Sequence, residues 1–449
     1  MFSYAKHLSV FQRVIYLLLY YMKKTLLLCY IAILYGFSGC SPKQPEKDYT
    51  WLKQGIETAA LQLKFTVAEI GDSIRLPRSI WTGYDTDFLC RQLDKKQLTG
   101  KDSARLKPIH DNLGSRRYCF SIYDWTSGFF PGNLWLAYQL TGDESLRESA
   151  VKFTNYLYPL REYKGTHDIG FMMNCSYGNA NRLSPADSVR SALIQTADNL
   201  CGRFNPEIGC IRSWNFGKWN FPVIIDNMMN LDLLFYATRL TGDDKYKELA
   251  LTHARTTMKN HFRDDYSSYH VVSYNNDGTV EKKCTHQGKS DTSSWARGQA
   301  WGLYGYTSCY RESKDVQFLR QAENIASLIM RRVKTEDAVP LWDYDAPATP
   351  QTPRDASAAA ITASALIELS TLVEDGQAYM EYAGKLLKSL SSDGYLAKPG
   401  TNRGFVLMHS TGSLPNGSEI DTPLNYADYY YLEALLRYMQ VKEIDYKHI

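Results

Sequence analysis

The chain has 449 residues, 44% of them hydrophobic and 22% charged, which is enough apolar surface for a large core and excludes a disordered chain. Its net charge is +3, with basic pairs such as Lys282 and Lys283 but no long Lys/Arg run, so it lacks the footprint of a protein that tracks a nucleic-acid backbone. Nine cysteines are present; setting aside Cys29 and Cys40 in the leader, those that remain are odd in number and form no CxxC pair. That argues against a disulfide framework and a structural zinc site, leaving room for a single bridge such as Cys201 to Cys210 in an oxidising compartment.

From Met22 the chain reads MKKTLLLCYIAILYGFSGC: a basic pair (Lys23, Lys24), an apolar run, then Ser38 and Gly39 before Cys40. This resembles a bacterial lipoprotein signal, with Phe37 where such signals usually carry Leu. Cleavage would leave a lipidated Cys40 as the mature N-terminus, with the polar tether SPKQPEKD after it. Residues 1–21 hold a second apolar stretch, VIYLLLYY, read here as a misplaced upstream start, the alternative being the first pass of a membrane hairpin. The organisation expected is a signal region over 1–39, with the true start at Met22, a lipidated Cys and tether over 40–50, and one catalytic domain over 51–449. The protein would be an exported bacterial lipoprotein, periplasmic or membrane-anchored, touching the membrane only through its lipid.

Past the tether, most of the chain has the apolar spacing of helices, separated by loops rich in Gly, Asn, Asp and Pro. One phrase recurs: LWLAYQLTGDESLRESA at Leu134 to Ala150 and LLFYATRLTGDDKYKELA at Leu233 to Ala250. In each, a helix ends near Thr-Gly-Asp and another begins at once, the Gly taking the left-handed position and the Asp capping the second helix. Looser copies stand at Tyr304 to Ala322, with Lys314 and Asp315 at the turn, and near Leu366 to Ala383. Repeated hairpins without a uniform short period predict a closed ring, and about a dozen helices fit an all-α (α/α)6 barrel. The long loops between hairpins would then converge at one mouth and form a cleft.

Those loops carry the residues capable of chemistry. Asp168 and Asp226 each precede a helical pattern, so each reads equally as an N-cap or as an acid; two carboxylates in one cleft can push their pKa values apart and keep one protonated. Arg297 and Trp301 lie four apart on one helix face, where the Arg could fork a carboxylate or simply stack for packing. His270 and Gln287 are weak signals by themselves. No HExxH, GxSxG, GxGxxG or GxxxxGK[ST] pattern occurs, so neither a metal nor a cofactor is expected. The 33 Tyr and 9 Trp suit the faces of sugar rings, although most will be packing residues.

The phrases DWTSGF, HDIGF, IIDNMMNL and SWARGQAWGLYGY, in this order, resemble the unsaturated glucuronyl hydrolases of glycoside hydrolase family 88, over nearly the whole mature chain. The resemblance implies an (α/α)6 barrel without a metal, acting on lyase-generated oligosaccharides that end in a 4,5-unsaturated uronic acid. It implies Asp226 as general acid/base and Asp168 as the second essential aspartate, with His167 in the same match. Trp125, Phe129 and Trp214 would line the sugar site. His270, Gln287, Arg297 and Trp301 would surround the uronate, Arg297 being the candidate for its carboxylate. The implied reaction differs from ordinary glycoside hydrolysis, because a proton goes to C4 of a vinyl ether and water adds at C5. A sulfate-binding S-x-x-S-x-K pattern is incomplete here: Ser410 and Ser413 are present, Pro415 replaces Lys, and Lys398 or Arg403 would have to substitute. Two alternatives stand beside this reading, an unsaturated rhamnogalacturonyl hydrolase acting on pectin fragments and a non-catalytic glycan-binding surface lipoprotein.

Overall fold

Helical hairpins need a turn that stops one helix and starts the next within two or three residues. In the computed structural model, which describes residues 48–83 and 111–449 with Lys107 and isolated helical positions between Val14 and Met22, those turns form as their residues require. Gly142 and Gly242 end their helices in the left-handed region, at φ 73° and 75°. Asp143 then accepts from the Ser145 N–H and Asp243 from the Lys245 N–H, both at 2.9 Å. At the third repeat Lys314 takes the left-handed position (φ 59°) and Asp315 caps through Gln317 N–H. The fourth departs: its first helix closes at Thr371 in the right-handed region, and the next begins after Gly376.

The chain divides into two units, Met1–Tyr49 and Thr50–Ile449. Cys40, the expected lipid attachment site, lies outside the described residues. Among the described residues no helix is long and apolar enough to cross a membrane. The second unit opens with α1 (Thr50–Ile70), then β1 (Pro77–Ile80) paired antiparallel with β2 (Arg116–Tyr118). After them come α2 (Phe129–Thr141), α3 (Glu144–Tyr156), α4 (Ile169–Met173), α5 (Asn179–Leu183) and α6 (Asp187–Cys201). Next are β3 (Phe204–Asn205), β4 (Cys210–Ile211), β5 (Phe221–Ile224), α7 (Asn227–Thr241), α8 (Lys245–Asn260), β6 (Val271–Tyr274) and β7 (Val280–Cys284). The chain ends with α9 (Ala296–Ser313), α10 (Val316–Arg332), α11 (Ala356–Ser370), α12 (Gln377–Leu390) and α13 (Asn425–Lys442).

Packing sorts these helices into two rings. α2, the α4–α5 pair, α7, α9, α11 and α13 each lean on the next, and α13 returns to α2 to close the circle. α3, α6, α8, α10, α12 and α1 pack outside them. This is the (α/α)6 barrel that the repeats predict. Composition explains the sorting: α11 reads ASAAAITASALIELS and is buried on nearly every face, whereas α10 buries only one stripe, Phe318, Gln321, Ala322, Ile325, Ala326, Leu328 and Ile329. Inner helices come close enough to need glycine. A Cβ on Gly128 would lie 2.1 Å from the Met172 carbonyl oxygen, and one on Gly170 would lie 2.7 Å from Asn230 Cα. The glycines of DWTSGF and HDIGF therefore let α2 approach α4, and α4 approach α7.

Two features depart from the sequence reading. Segments to which no strand was assigned from sequence form a three-stranded antiparallel sheet, β5-β6-β7, with Ile224 opposite Val271 and Val271 opposite Cys284. Cys201 and Cys210 are free thiols, like every other cysteine among the described residues, so the bridge that their spacing allowed is absent. Cys210 points into an apolar cluster with Val223, Val272 and Tyr274, and burial pushes its pKa up to about 12, an inert packing thiol.

Candidate active site

The N-terminal ends of the inner helices meet at one mouth, and both aspartates sit there. Asp168 holds the N-cap position of α4 and Asp226 that of α7, yet neither side chain caps its helix. Asp355, at the same position of α11, does cap, accepting from Ser357 and Ala358 N–H. The capping explanation therefore fails for the two residues in question and holds for a third that was not singled out. Strand β5 delivers Asp226, and the Ile225 N–H to His270 carbonyl bond, 3.0 Å, extends the sheet to bring His270 beside it.

Asp226 is 8% exposed and its Oδ2 has no hydrogen-bond partner. Burial raises its pKa from the ordinary carboxylate range to about 7, opposed by the positive charge of Arg297 and helped by the charge of Asp168. The Trp301 indole N–H is turned toward it and favours the anion without reaching hydrogen-bond geometry. Burial likewise raises Asp168 to about 7, against hydrogen bonds from Thr166 and Asn230. Both carboxyls are thus poised near neutrality, where a group can donate and then accept a proton.

Two histidines face the pair in opposite tautomers, each fixed by its other nitrogen. His167 Nδ1 lies 2.9 Å from the Ser213 carbonyl oxygen, which also accepts from Arg203 at 3.1 Å. Nδ1 must carry the hydrogen, and Nε2 presents a lone pair 3.2 Å from Asp168 Oδ1. Burial and the Arg203 charge hold this ring neutral, its pKa down to about 3. His270 is reversed: its Nδ1 accepts from the His286 and Gln287 amides, both at 3.1 Å. Its Nε2–H therefore points toward Asp226 Oδ2, 3.6 Å away. Asp168 thus sits against an acceptor, which favours its acid form, and Asp226 faces a donor, which favours its anion.

The aromatic residues divide by exposure. Trp125 is partly exposed, with Phe171 at 5.7 Å and Tyr426 at 5.0 Å between ring centroids. Phe129 was expected to line the sugar site, but it is 0% exposed and stands edge-on behind Trp125 at 6.0 Å; its part is to fix that platform. Trp214 meets His270 at 90° and stacks on the exposed Phe216, 5.1 Å away. Trp301 is wholly buried against Phe171, its indole nitrogen without a partner. Gln287 donates to the Gly412 carbonyl at 3.3 Å.

Arg297 requires a correction. Its Nη1 donates to Asp355 (3.1 Å) and to the Thr411 carbonyl (2.6 Å), and its Nη2 to the Gly412 carbonyl (2.6 Å). The planar fork expected for a uronate carboxylate is thus already filled by the 411–412 backbone, which it clamps across the mouth. Its Nε alone lacks a partner. In the same segment Ser410 Oγ is buried without a partner, while Ser413 Oγ accepts from Asn416 at 2.8 Å. Arg403, one stand-in for the missing Lys, is committed to the Gly114 carbonyl at 2.7 Å.

Folded proteins leave few buried polar atoms unpaired. Here Asp226 Oδ2, His270 Nε2, Trp301 Nε1, Arg297 Nε and the Tyr426 hydroxyl, among other buried atoms without partners, belong to residues that lie against one another. That concentration marks a site shaped for a polar ligand with hydroxyl and anionic groups. Among the described residues no group of three or more His, Cys, Asp or Glu is placed to hold a metal ion. Sequence reasoning missed Asp124, Arg78 and Glu419, a buried network in which Arg78 bridges Asp124 (2.7 Å) and Glu419 (2.6 Å). Asp124 lies within DWTSGF and could have been found there; Glu419 carried no signal.

Comparison with known proteins agrees with this geometry. A model described as a domain of unknown function, DUF4995, matches residues 22–95. An unsaturated glucuronyl hydrolase from Formosa agariphila is 47% identical over 319 residues, 70% of this chain and 80% of the relative. The crystal structure of an unsaturated glucuronyl hydrolase specific for heparin is similar with a TM-score of 0.79 and 48% identity, covering 89% of this chain and 99% of that one. An Asp-to-Asn mutant of the Streptococcus agalactiae enzyme, complexed with dGlcA-GalNAc6S, is similar with a TM-score of 0.68 and 26% identity, covering 88% and 93%. The chain belongs to the unsaturated glucuronyl hydrolase family, glycoside hydrolase family 88.

Proposed function

We propose that the protein releases the terminal 4,5-unsaturated uronic acid from lyase-generated oligosaccharides, glycosaminoglycan fragments foremost, by hydrating the C4=C5 double bond. The observation that carries this reading is Asp226: a carboxyl at a helix N-cap that does not cap, buried, unpartnered at Oδ2 and poised near pH 7. Protonated Asp226 gives its proton to C4, leaving oxocarbenium character on C5 and the ring oxygen. The carboxylate so formed faces His270 Nε2–H, the Trp301 indole and the Arg297 charge, all of which favour the anion. It then takes a proton from the water that adds at C5, restoring the acid. The resulting hemiketal opens and the glycosidic bond is lost. Asp168 holds sugar hydroxyls, and Trp125 offers a platform for a ring face.

Support for the glycosaminoglycan class comes from the relatives, one specific for heparin and another complexed with dGlcA-GalNAc6S. We propose further that the chain is exported and anchored through Cys40, a reading supported by the Met22 to Cys40 pattern. The function is tested by incubating the protein with lyase-generated unsaturated disaccharides and following the ultraviolet absorbance of the conjugated double bond. Loss of absorbance with release of the saturated partner sugar supports it. Binding without turnover would favour a glycan-capturing lipoprotein.

A further inference from the structure

Tyr426 is the second residue of α13, the helix that closes the inner ring against α2. It is 1% exposed, with Trp125 at 5.0 Å and Phe129 at 5.8 Å between ring centroids, and Arg297 Cζ lies 5.5 Å from the centroid of its ring. Its hydroxyl has no hydrogen-bond partner, although buried tyrosines usually find one. The charged groups that face it are Arg297, Glu419, Asp355 and Arg78. Neither carboxylate claims its proton. Glu419 is engaged by Arg78 and Ser79, and Asp355 by Arg297, Ser357 and the cap of α11. Burial keeps the phenol protonated, so it can only donate or accept as a neutral group.

An unpaired O–H near a guanidinium whose Nε is also unpaired leaves two donors from which one anionic group can accept. We propose that Tyr426 is a specificity-determining residue whose hydroxyl donates to the carboxylate of the unsaturated uronate, next to Arg297 Nε. This rests on the functional reading above, which supplies the uronate. It also answers what the filled fork of Arg297 leaves open, since the cation provides charge and one N–H while the phenol provides the second donor. Nothing in the four family-like phrases points to this residue, because it lies in the tyrosine-rich run NYADYYY of α13.

The test compares wild type with Tyr426→Phe on two substrates, an unsaturated disaccharide with a free uronate and the methyl ester of the same disaccharide. Removing an unpaired buried hydroxyl should leave the Tm unchanged or raise it. On the free uronate the variant should lose roughly 10- to 100-fold in kcat/KM, the value of a hydrogen bond to a charged group. On the ester the two proteins should differ by less than about threefold, because the interaction is already absent. Equal losses on both substrates would assign Tyr426 a packing role and overturn the proposal, as would no loss on either. If the wild type turns over neither substrate, the functional reading fails and this inference falls with it.

Discussion

His270 Nε2 lies 3.6 Å from Asp226 Oδ2, and its hydrogen is fixed there by two backbone amides that occupy Nδ1. The imidazole therefore supports the anionic form of Asp226 and can do so without carrying charge. His270→Asn keeps an acceptor near the Nδ1 position for both amides while deleting the Nε2–H. The fold should survive, and kcat should fall about tenfold. Because a donor to the charged form is lost, the pKa of Asp226 should rise, and the alkaline limb of the kcat/KM profile should move to higher pH. A lower rate with an unmoved limb would make His270 a scaffold only.

Arg297→Lys keeps the charge and loses the fork. One ammonium cannot reach Asp355, Thr411 and Gly412 in the geometry of the guanidinium. The 410–413 segment should loosen, costing about 2 kcal/mol of stability on urea unfolding, with kcat/KM down at least about tenfold. Wild-type values on both measurements would show that the clamp is dispensable.

Asp226 should lower stability above neutral pH. Its folded-state pKa, about 7, exceeds that of an unfolded aspartate, near 3.9. Between these values the folded chain holds more protons than the unfolded one, so stability falls as pH rises and levels off above the folded pKa. Asp226→Asn removes this term. The variant should match wild type near pH 4 and exceed it at pH 8 by on the order of a few kcal/mol, read as Tm against pH. A Tm difference independent of pH would mean that Asp226 is not strained by burial.

The anchor is checked by Cys40→Ala, which should move the protein from the membrane fraction to the soluble one or block its processing. A variant that stays membrane-bound with unchanged mobility would remove the lipoprotein assignment.

Much of the barrel was legible because its hairpins turn on chemistry that a sequence displays: Gly142 and Gly242 are left-handed because they can be, and Asp143 caps because it stands directly after its glycine. The strands β5 to β7 were not, since four- and five-residue segments leave almost no period to read. Asp168 and Asp226 stand out in the sequence as candidates, but their roles are ambiguous there. A non-capping aspartate at an N-cap position is spelled the same way as a capping one, and only the hydrogen bonds made in the fold separate them from Asp355. Arg297 shows the reverse: residue type and spacing pointed to a carboxylate, while its partners, more than 100 positions away at Thr411 and Gly412, could not be read from local pattern. Tyr426 was hidden for a related reason, since one unpaired hydroxyl among adjacent tyrosines has no sequence mark.

The central claim is that Asp226 protonates C4 and then activates water. Turnover in heavy water, with the released sugar examined by NMR, tests it most directly. Wild type should place solvent deuterium at C4. Asp226→Asn should fold yet lose several orders of magnitude in turnover, since an amide can neither supply that proton nor take one from water. Product without deuterium at C4, or a folded Asp226→Asn enzyme of wild-type activity, would contradict the account.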